Sequence, residues 1–467
     1  MEAFYLKDLV KAVNGKFLIG DPNLAVKSVS IDSRTIKRGQ FFFAIQGENF
    51  DGHDFIKEAV EREAAGIVYS KEDSDFAKPF PNFPSIIKVN DTVKALGDLA
   101  KAYKARFSDC KIIGLTGSNG KTTTKEILKS ILSKRARTVS NKGNFNNRIG
   151  LPLSVLELKS DVKYAVFEMG TSERGEIKVL SDILKPNAAI ITNIGFSHLE
   201  TFKSKEGVFA EKRTLLDGVA EDGFIVLNND DPILKKVSSK AYSKIITFAF
   251  YGGADVYAKN ITLWAQETNF VLCSGADSID IIMHVRGRFN VLNALAAASA
   301  AIGLGFSLKE IKEGIETFTP PSMRMETIVS HCGAILINDA YNSNPSSVKE
   351  AVESVCESYE GYEINLVLGD MLELGEESYD YHFETGEFIN GKKNVKSVYL
   401  IGEMTLYIKD ALNKKNVFHA NNQSELLNYL RNADINRKSV FLFKASRGMK
   451  LEKIYAEFYD YLEKRNK

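Results

Sequence analysis

The stretch Gly114-Leu115-Thr116-Gly117-Ser118-Asn119-Gly120-Lys121-Thr122-Thr123 decides how the chain reads. It follows a β-type run, residues 111–115, and leads into a helical pattern over 122–133. A strand, a glycine turn and a helix in that order predict a phosphate-binding loop. Glycines let backbone N–H groups turn toward phosphate oxygens, and the helix N-terminus adds a favourable dipole. Gly117, Ser118, Asn119 and Gly120 would form the cradle. Lys121 would reach the β- and γ-phosphates, and the hydroxyl of Thr122 or Thr123 would ligate Mg²⁺. The strict pattern places glycine five residues before Gly120, where this chain has Leu115, so the match is to the shorter form Gly117-x-x-Gly120-Lys121-Thr122. The alternative is a glycine turn capping an ordinary helix.

A nucleotide-cleaving loop needs an acidic partner at the end of a neighbouring strand. The run Tyr164-Ala165-Val166-Phe167-Glu168 supplies one just before Gly170. The next strand-like run leads into Thr192-Asn193-Ile194-Gly195-Phe196-Ser197-His198-Leu199-Glu200. Asn193 and His198 would sit at the carboxyl edge of a parallel sheet, where ligands collect in such folds.

Outward from this centre, strand-like and helical stretches alternate along all 467 residues, predicting parallel βαβ units. At roughly 150 residues per domain, the length suits about three domains. The segment 1–108 has short strand-like runs at 25–31, 40–45, 66–69 and 85–89, closed by a helix over 91–106. The segment 109–320 carries the phosphate loop, strands at 164–167, 188–192 and 224–227 each followed by a helix, and an Ala-rich helix over 291–302. Thr319-Pro320-Pro321-Ser322 breaks the chain, and the rhythm restarts over 321–467 with strands at 334–338, 364–368, 398–401 and 440–443.

Composition narrows the function classes. With 61 Lys+Arg against 60 Asp+Glu, the net charge of +1 lacks the footprint of a dedicated nucleic-acid or membrane-surface binder. Four scattered cysteines, none in a CxxC spacing, exclude a disulfide framework and suit a reducing compartment. The longest apolar stretch, 294–306, is interrupted by Ser299, Gly303 and Gly305 and falls short of the roughly 20 residues of a membrane span. The first residues lack the basic start and apolar run of a secretory signal. The expectation is a cytoplasmic enzyme with no nucleic-acid partner and no membrane insertion. Trp264 and the many phenylalanines read as core.

Residues 116–124 resemble the TGxNGKTT loop of the Mur ligases, ATP-dependent amide-bond-forming enzymes of peptidoglycan precursor synthesis. Glu168-Met169-Gly170 and Thr192-Asn193-Ile194-Gly195 with His198-Leu199-Glu200 resemble the family's next two motifs. Asp339-Ala340-Tyr341-Asn342-Ser343-Asn344-Pro345 is similar to the DAYNANP of the branch that adds D-alanyl-D-alanine. The branch adding the third residue has a DYAHTP-like motif there. Gly143-Asn144-Phe145-Asn146-Asn147-Arg148-Ile149-Gly150-Leu151-Pro152, Leu368-Gly369-Asp370-Met371-Leu372-Glu373-Leu374-Gly375 and Lys444-Ala445-Ser446-Arg447-Gly448-Met449 also match.

The resemblance implies an α/β fold of three domains: a small uridine-binding domain (1–108), a central P-loop ATPase with a mostly parallel sheet flanked by helices (109–320), and a Rossmann-like domain taking the dipeptide (321–467). It implies ATP and Mg²⁺ as cofactors and UDP-N-acetylmuramoyl-tripeptide and D-alanyl-D-alanine as substrates, and the chain is expected to be a monomer. Lys121, Glu168, His198 and Lys212 would be catalytic, with Thr122, Glu168, His198 and Lys212 around the metal. Lys212 falls where the family carries a lysine converted by CO₂ to a carbamate; without the resemblance it would read as a solvated helix lysine. Asn293 matches an adenine-recognising asparagine, Arg324 an arginine on the ATP phosphates, and Asp339 a ribose-contacting carboxylate. Asn290 could instead cap the Ala-rich helix. Ser33 and Arg34 would meet uridine or pyrophosphate, as would the block Gly47-Glu48-Asn49-Phe50-Asp51-Gly52-His53. Asn144, Asn146 and Asn147 would meet the muramoyl or peptide portion, and Tyr341, Asn342 and Asn344 the nucleotide or dipeptide. The competing readings are the third-residue ligase, a folylpolyglutamate-synthase-like ligase and a non-catalytic nucleotide-binding scaffold.

Overall fold

The computed structural model describes residues 1–2, 4–72, 85–237, 244–264 and 267–464. Among the described residues a two-stranded pair, Phe4–Tyr5 with Ala25–Val26, accompanies three larger sheets that follow one another along the chain, as the alternating pattern predicts. The largest runs Asp277–Met283, Thr268–Ser274, Val256–Leu263, Ile245–Ala249, Phe224–Asn228, Ala188–Ile191, Lys111–Thr116, Tyr164–Glu168 and Thr138–Ser140. From Val256–Leu263 onward every neighbouring pair is parallel, and the first three strands form an antiparallel edge.

The phosphate-loop strand sits between Tyr164–Glu168 and Ala188–Ile191, so the loops leaving all three converge at one sheet edge. Its side chains are buried on both faces: Ile112 packs into one core cluster, Ile113 and Leu115 into another. Such double coverage explains why these strands read as continuous apolar runs rather than alternating ones. The helix Lys121–Leu132 packs against Arg288–Gly303, whose alanines from Ala294 to Ala301 are buried and permit close approach. No described helix is long and apolar enough to cross a membrane.

The N-terminal sheet runs Lys16–Ile19, Ser85–Lys88, Gly66–Tyr69, Phe41–Phe43 and Val29–Ser30, and the C-terminal sheet Glu326–Val329, Ile335–Asn338, Ser439–Lys444, Glu363–Gly369, Val395–Ile401 and Val417–Ala420. Both are mostly parallel, with one antiparallel edge pair each. The observed architecture is the three-domain α/β fold expected.

Several local expectations are corrected. Residues 25–31 form two strands, Ala25–Val26 and Val29–Ser30, which enter different sheets. Among the described residues, Phe224–Asn228 is followed by the short 3₁₀ turn Leu234–Lys236 and then by Ile245–Ala249 and the antiparallel meander, rather than by an α-helix. Those meander strands are partly exposed, and half-exposed strands carry little continuous apolar signal. Trp264 is 55% exposed rather than core. Asn290 does not cap the Ala-rich helix: that helix starts at Arg288 after Gly287, and the Asn290 amide donates to the Arg286 carbonyl at 2.7 Å.

Candidate active site

The phosphate loop is held open by its glycines. Gly117 and Gly120 have φ of +154° and +78°, and a Cβ at either would collide with the Thr192 hydroxyl or the Asn293 side chain. The loop is tied to the end of Ala188–Ile191. The Ser118 N–H donates to the Asn193 carbonyl at 3.0 Å, the Asn119 N–H to Asn193 Oδ1 at 2.9 Å, and the Thr192 hydroxyl to the Asn119 carbonyl at 2.6 Å. Lys121 folds back over this frame, its Nζ donating to the Gly117 and Ser118 carbonyls at 2.7 and 3.2 Å. Burial lowers the Lys121 pKa, and nearby Arg324 lowers it further against the pull of Glu168.

Glu168 is 3% exposed and bonded at both oxygens. Oε2 accepts from the Thr122 hydroxyl at 2.8 Å, and Oε1 from the Asn146 amide at 3.0 Å. Behind it stands Lys125, fully buried, donating to the Asn141 carbonyl at 2.8 Å and lying 3.8 Å from Glu168 Oε2. The sequence reading missed Lys125; its position one turn after Lys121 was the available signal. Lys212, on the helix Lys205–Arg213, is 2% exposed rather than solvated. Burial, then the neighbouring Lys121, holds its amine well below the ordinary lysine range.

His198 has φ of +52° and turns Nδ1 toward Glu373 Oε2 of the C-terminal domain at 2.6 Å. The His198 hydrogen bond, followed by burial acting the other way, leaves the Glu373 carboxyl below its ordinary value. Glu373 was singled out only as part of a motif, without a role.

The opposite wall comes from the C-terminal domain. Arg324 lies over the Tyr341 ring at 4.2 Å and donates to the Thr122 hydroxyl at 2.9 Å. Asp339 accepts from Lys444 Nζ at 2.7 Å, and the same nitrogen donates to the Asn342 carbonyl at 3.0 Å. Asn344 caps the helix Pro345–Ser358 and donates its amide to Asn119 Oδ1 at 2.7 Å, joining the two domains at the loop. Asn293 accepts from the Thr124 hydroxyl at 3.3 Å and donates to Asn290 Oδ1 at 3.1 Å.

These residues enclose one cavity of about 280 Å³, bordered by Ser118–Lys121, Thr123, Glu168, His198, Asn293, Arg324 and Asp339. Asn146, Tyr341, Asn342 and Asn344 line it too. A second cavity of about 380 Å³ adjoins it and shares Lys121, His198 and Tyr341; Asn144 lines only this one. The remaining expected contacts lie elsewhere. The buried Ser33 hydroxyl donates to Glu58 at 2.6 Å, Arg34 pairs with Asp32 on the surface, and Asn147 caps the turn at Ile149 and Gly150. His53 is buried between Asp51 and the Ser70 N–H.

No group of three or more His, Cys, Asp or Glu side chains that could hold a metal occurs among the described residues. A hydroxyl and a carboxylate, Thr122 and Glu168, do meet beside the loop. That hard-oxygen pair suits Mg²⁺, which completes its shell with phosphates and water. His198 gives its Nδ1 to Glu373.

Models of known families match the chain in three successive segments. The Mur ligase family catalytic domain covers residues 25–104, the Mur ligase middle domain 115–301, and the Mur ligase glutamate ligase domain 323–447. A relative from Bacillus subtilis, named UDP-N-acetylmuramoyl-tripeptide--D-alanyl-D-alanine ligase, is 37% identical over 92% of both chains. One of the same name from Haemophilus influenzae is 34% identical over 94% of both. The crystal structure of MurF from Acinetobacter baumannii superposes with a TM-score of 0.91 at 31% identity, covering 98% of this chain and 99% of that one. MurF ligase from Thermotoga maritima, solved in complex with ADP, gives 0.84 at 28% identity over 94% and 98%. With all three domains matched in order and such relatives spanning nearly its full length, the chain belongs to the Mur ligase family.

Proposed function

We propose that this chain joins D-alanyl-D-alanine to UDP-N-acetylmuramoyl-tripeptide, cleaving ATP to ADP and phosphate. The observation that carries this reading is the bond from Arg324 to Thr122, 2.9 Å long, which sets a C-terminal cation beside the phosphate loop and its acidic partner. The relatives' shared name and the Asp339–Pro345 motif favour the D-dipeptide over a diamino acid as acceptor.

ATP lies along residues 117–123, with its adenosine toward Asn293 and Asp339. A carboxylate oxygen of the tripeptide attacks the γ-phosphorus and ADP leaves. The dipeptide amine then attacks the acyl carbon, and the tetrahedral adduct expels phosphate as the nitrogen loses a proton. Two anions must meet in the first step, so positioned cations carry the catalysis. Lys121 and Arg324 supply the positive charge. Thr122 and Glu168, with His198 and a carbamylated Lys212, would hold Mg²⁺, which neutralises phosphate charge when bound.

A lysine must be neutral to take up CO₂, and burial beside Lys121 favours the neutral Lys212 amine. Carbamylation predicts a carbamate carbon resonance from ¹³C-bicarbonate that Lys212→Met abolishes; its absence from the unsubstituted chain rejects the modification. Residues 1–108 hold the uridine end through Ser33 and Arg34, 109–320 the ATP, and 321–467 the dipeptide. We infer a monomeric working unit acting in the cytoplasm.

Phosphate release tests the whole reading. It should require ATP, UDP-N-acetylmuramoyl-tripeptide and D-alanyl-D-alanine together. Release with UDP-N-acetylmuramoyl-dipeptide and a diamino acid instead would favour the sister activity, and none in any combination the scaffold.

A further inference from the structure

Resting on that reading, we propose that Arg447 binds the terminal carboxylate of the incoming D-dipeptide and makes the enzyme select acceptors with a free C-terminus. The second cavity has only two Lys or Arg residues on its walls among the described residues, Lys121 and Arg447. Lys121 also borders the nucleotide cavity and is folded onto the phosphate loop. Arg447 borders only the second cavity, not the nucleotide cavity with which Lys121 is shared.

An acceptor dipeptide brings an amine at one end and a carboxylate at the other, separated by about 7 Å of extended chain. Its amine belongs at the shared Lys121 end. A carboxylate that gives up water on the cavity wall needs a charged donor, because an unpaired, partly desolvated anion is costly. Arg447 is the cation left to provide it.

Local structure holds this arginine ready. The Ser446 hydroxyl donates to the Ser343 carbonyl at 3.2 Å and accepts from the Leu372 N–H at 2.9 Å, fixing the start of the turn Arg447–Met449. The Arg447 side chain is 55% exposed, and its Nη1 meets both Glu452 Oε1 and Met323 Sδ at 3.2 Å, contacts on one nitrogen that leave the Nε and Nη2 edge to a bidentate carboxylate. Leu372 and Leu374 border the same cavity and offer apolar surface to small side chains such as alanine methyls. A Cβ on Gly448 would stand 2.9 Å from Leu372 Cδ1, so the glycine keeps turn and wall close.

The test compares D-alanyl-D-alanine with its C-terminal carboxamide as acceptors, in the unsubstituted enzyme, Arg447→Ala and Arg447→Lys. The unsubstituted enzyme should prefer the free acid by about 10- to 100-fold in kcat/KM, the scale of charge-assisted hydrogen bonds. Arg447→Ala should lower kcat/KM for the acid to that for the amide, raise KM for the acid, and leave the amide within about twofold. Arg447→Lys should keep part of the preference. KM for ATP should not move in either variant, and thermal unfolding reports any loss of the Glu452 contact separately. Equal losses with acid and amide, or no preference in the unsubstituted enzyme, would overturn the assignment. Absence of dipeptide-dependent phosphate release from the unsubstituted enzyme would instead reject the ligase reading on which it rests.

Discussion

On the central-domain wall of the nucleotide cavity, Glu168 is bonded by Thr122 and Asn146, and Lys121 by its own loop, all within one domain. The facing wall touches that assembly through contacts that cross between domains: Arg324 on Thr122, Asn344 on Asn119 and Glu373 on His198. The first wall is preorganised by a sheet buried on both faces. The second is docked through a few polar bonds that water or ligand can replace, as interfaces between domains commonly are. The difference assigns charge stabilisation to the first wall and closure to the second, since water at an acyl phosphate would waste ATP.

The largest expected effect is on the preorganised wall. Lys121→Met should lower kcat by about 10³-fold, the scale of losing one positioned charge in a desolvated site. Circular dichroism should stay unchanged, because among the described residues the Lys121 amine bonds to loop carbonyls alone. A loss below tenfold would mean that the central wall is not where charge is stabilised.

Arg324 comes next, because it belongs to the docked wall yet serves the other one. Arg324→Ala should cost about 100-fold in kcat. Arg324→Lys should recover little, since a lysine cannot both stack on Tyr341 and donate to Thr122 with the same planar geometry. Recovery by lysine would reduce Arg324 to a point charge. Glu373→Gln should act more weakly, changing kcat/KM a few-fold at most. Its readout is small-angle scattering: the unliganded variant should be more extended, and the difference should vanish with an ATP analogue and the UDP-linked substrate. No difference without ligand would show that the ion pair does not hold the domains together.

The same contrast explains what could be read in the sequence. The central wall is encoded locally: strand, glycine turn and helix are contiguous, and Glu168 ends its own strand, so Lys121, Thr122 and Glu168 were legible from spacing alone. The docked wall depends on which distant residues meet. Glu373 on His198, Lys444 on Asp339 and Asn344 on Asn119 join positions that no periodicity relates. Lys125 was hidden differently, since a lysine on an amphipathic helix defaults to solvent, and only the carbonyl of Asn141 and the carboxylates of Glu126 and Glu168 keep it inside. The meander over Val256–Met283 was missed because its strands are partly exposed and follow a region where helices had been the rule.

The smallest expected effect tests whether the rigidity of the central wall is separable from its chemistry. Arg135, just beyond the phosphate-loop helix, lies over the Phe306 ring at 3.7 Å and grips Glu310 with two bonds of 3.0 and 2.8 Å. Glu310 also closes the capping box of the helix Leu308–Glu316 with Ser307. The Arg135 bonds, then Ser307, depress the Glu310 carboxyl from 4.5 to about 2. A depressed folded-state value stabilises the fold above the ordinary carboxylate range and loses that stabilisation as pH falls toward the folded value. Glu310→Gln should therefore lower the denaturant midpoint slightly and by a constant amount between pH 7 and 5, the pair being partly exposed and screened by solvent. The gap should narrow as pH drops below 4.5, where the native carboxylate still resists protonation but the unfolded one does not. Steady-state kinetics at pH 7 should be unaffected, because Glu310 staples the far end of the helix whose first turn carries Lys121 and Thr122. A change in kcat would show that stiffness at that end is transmitted to the phosphate loop, and the two roles of the central wall would then be one.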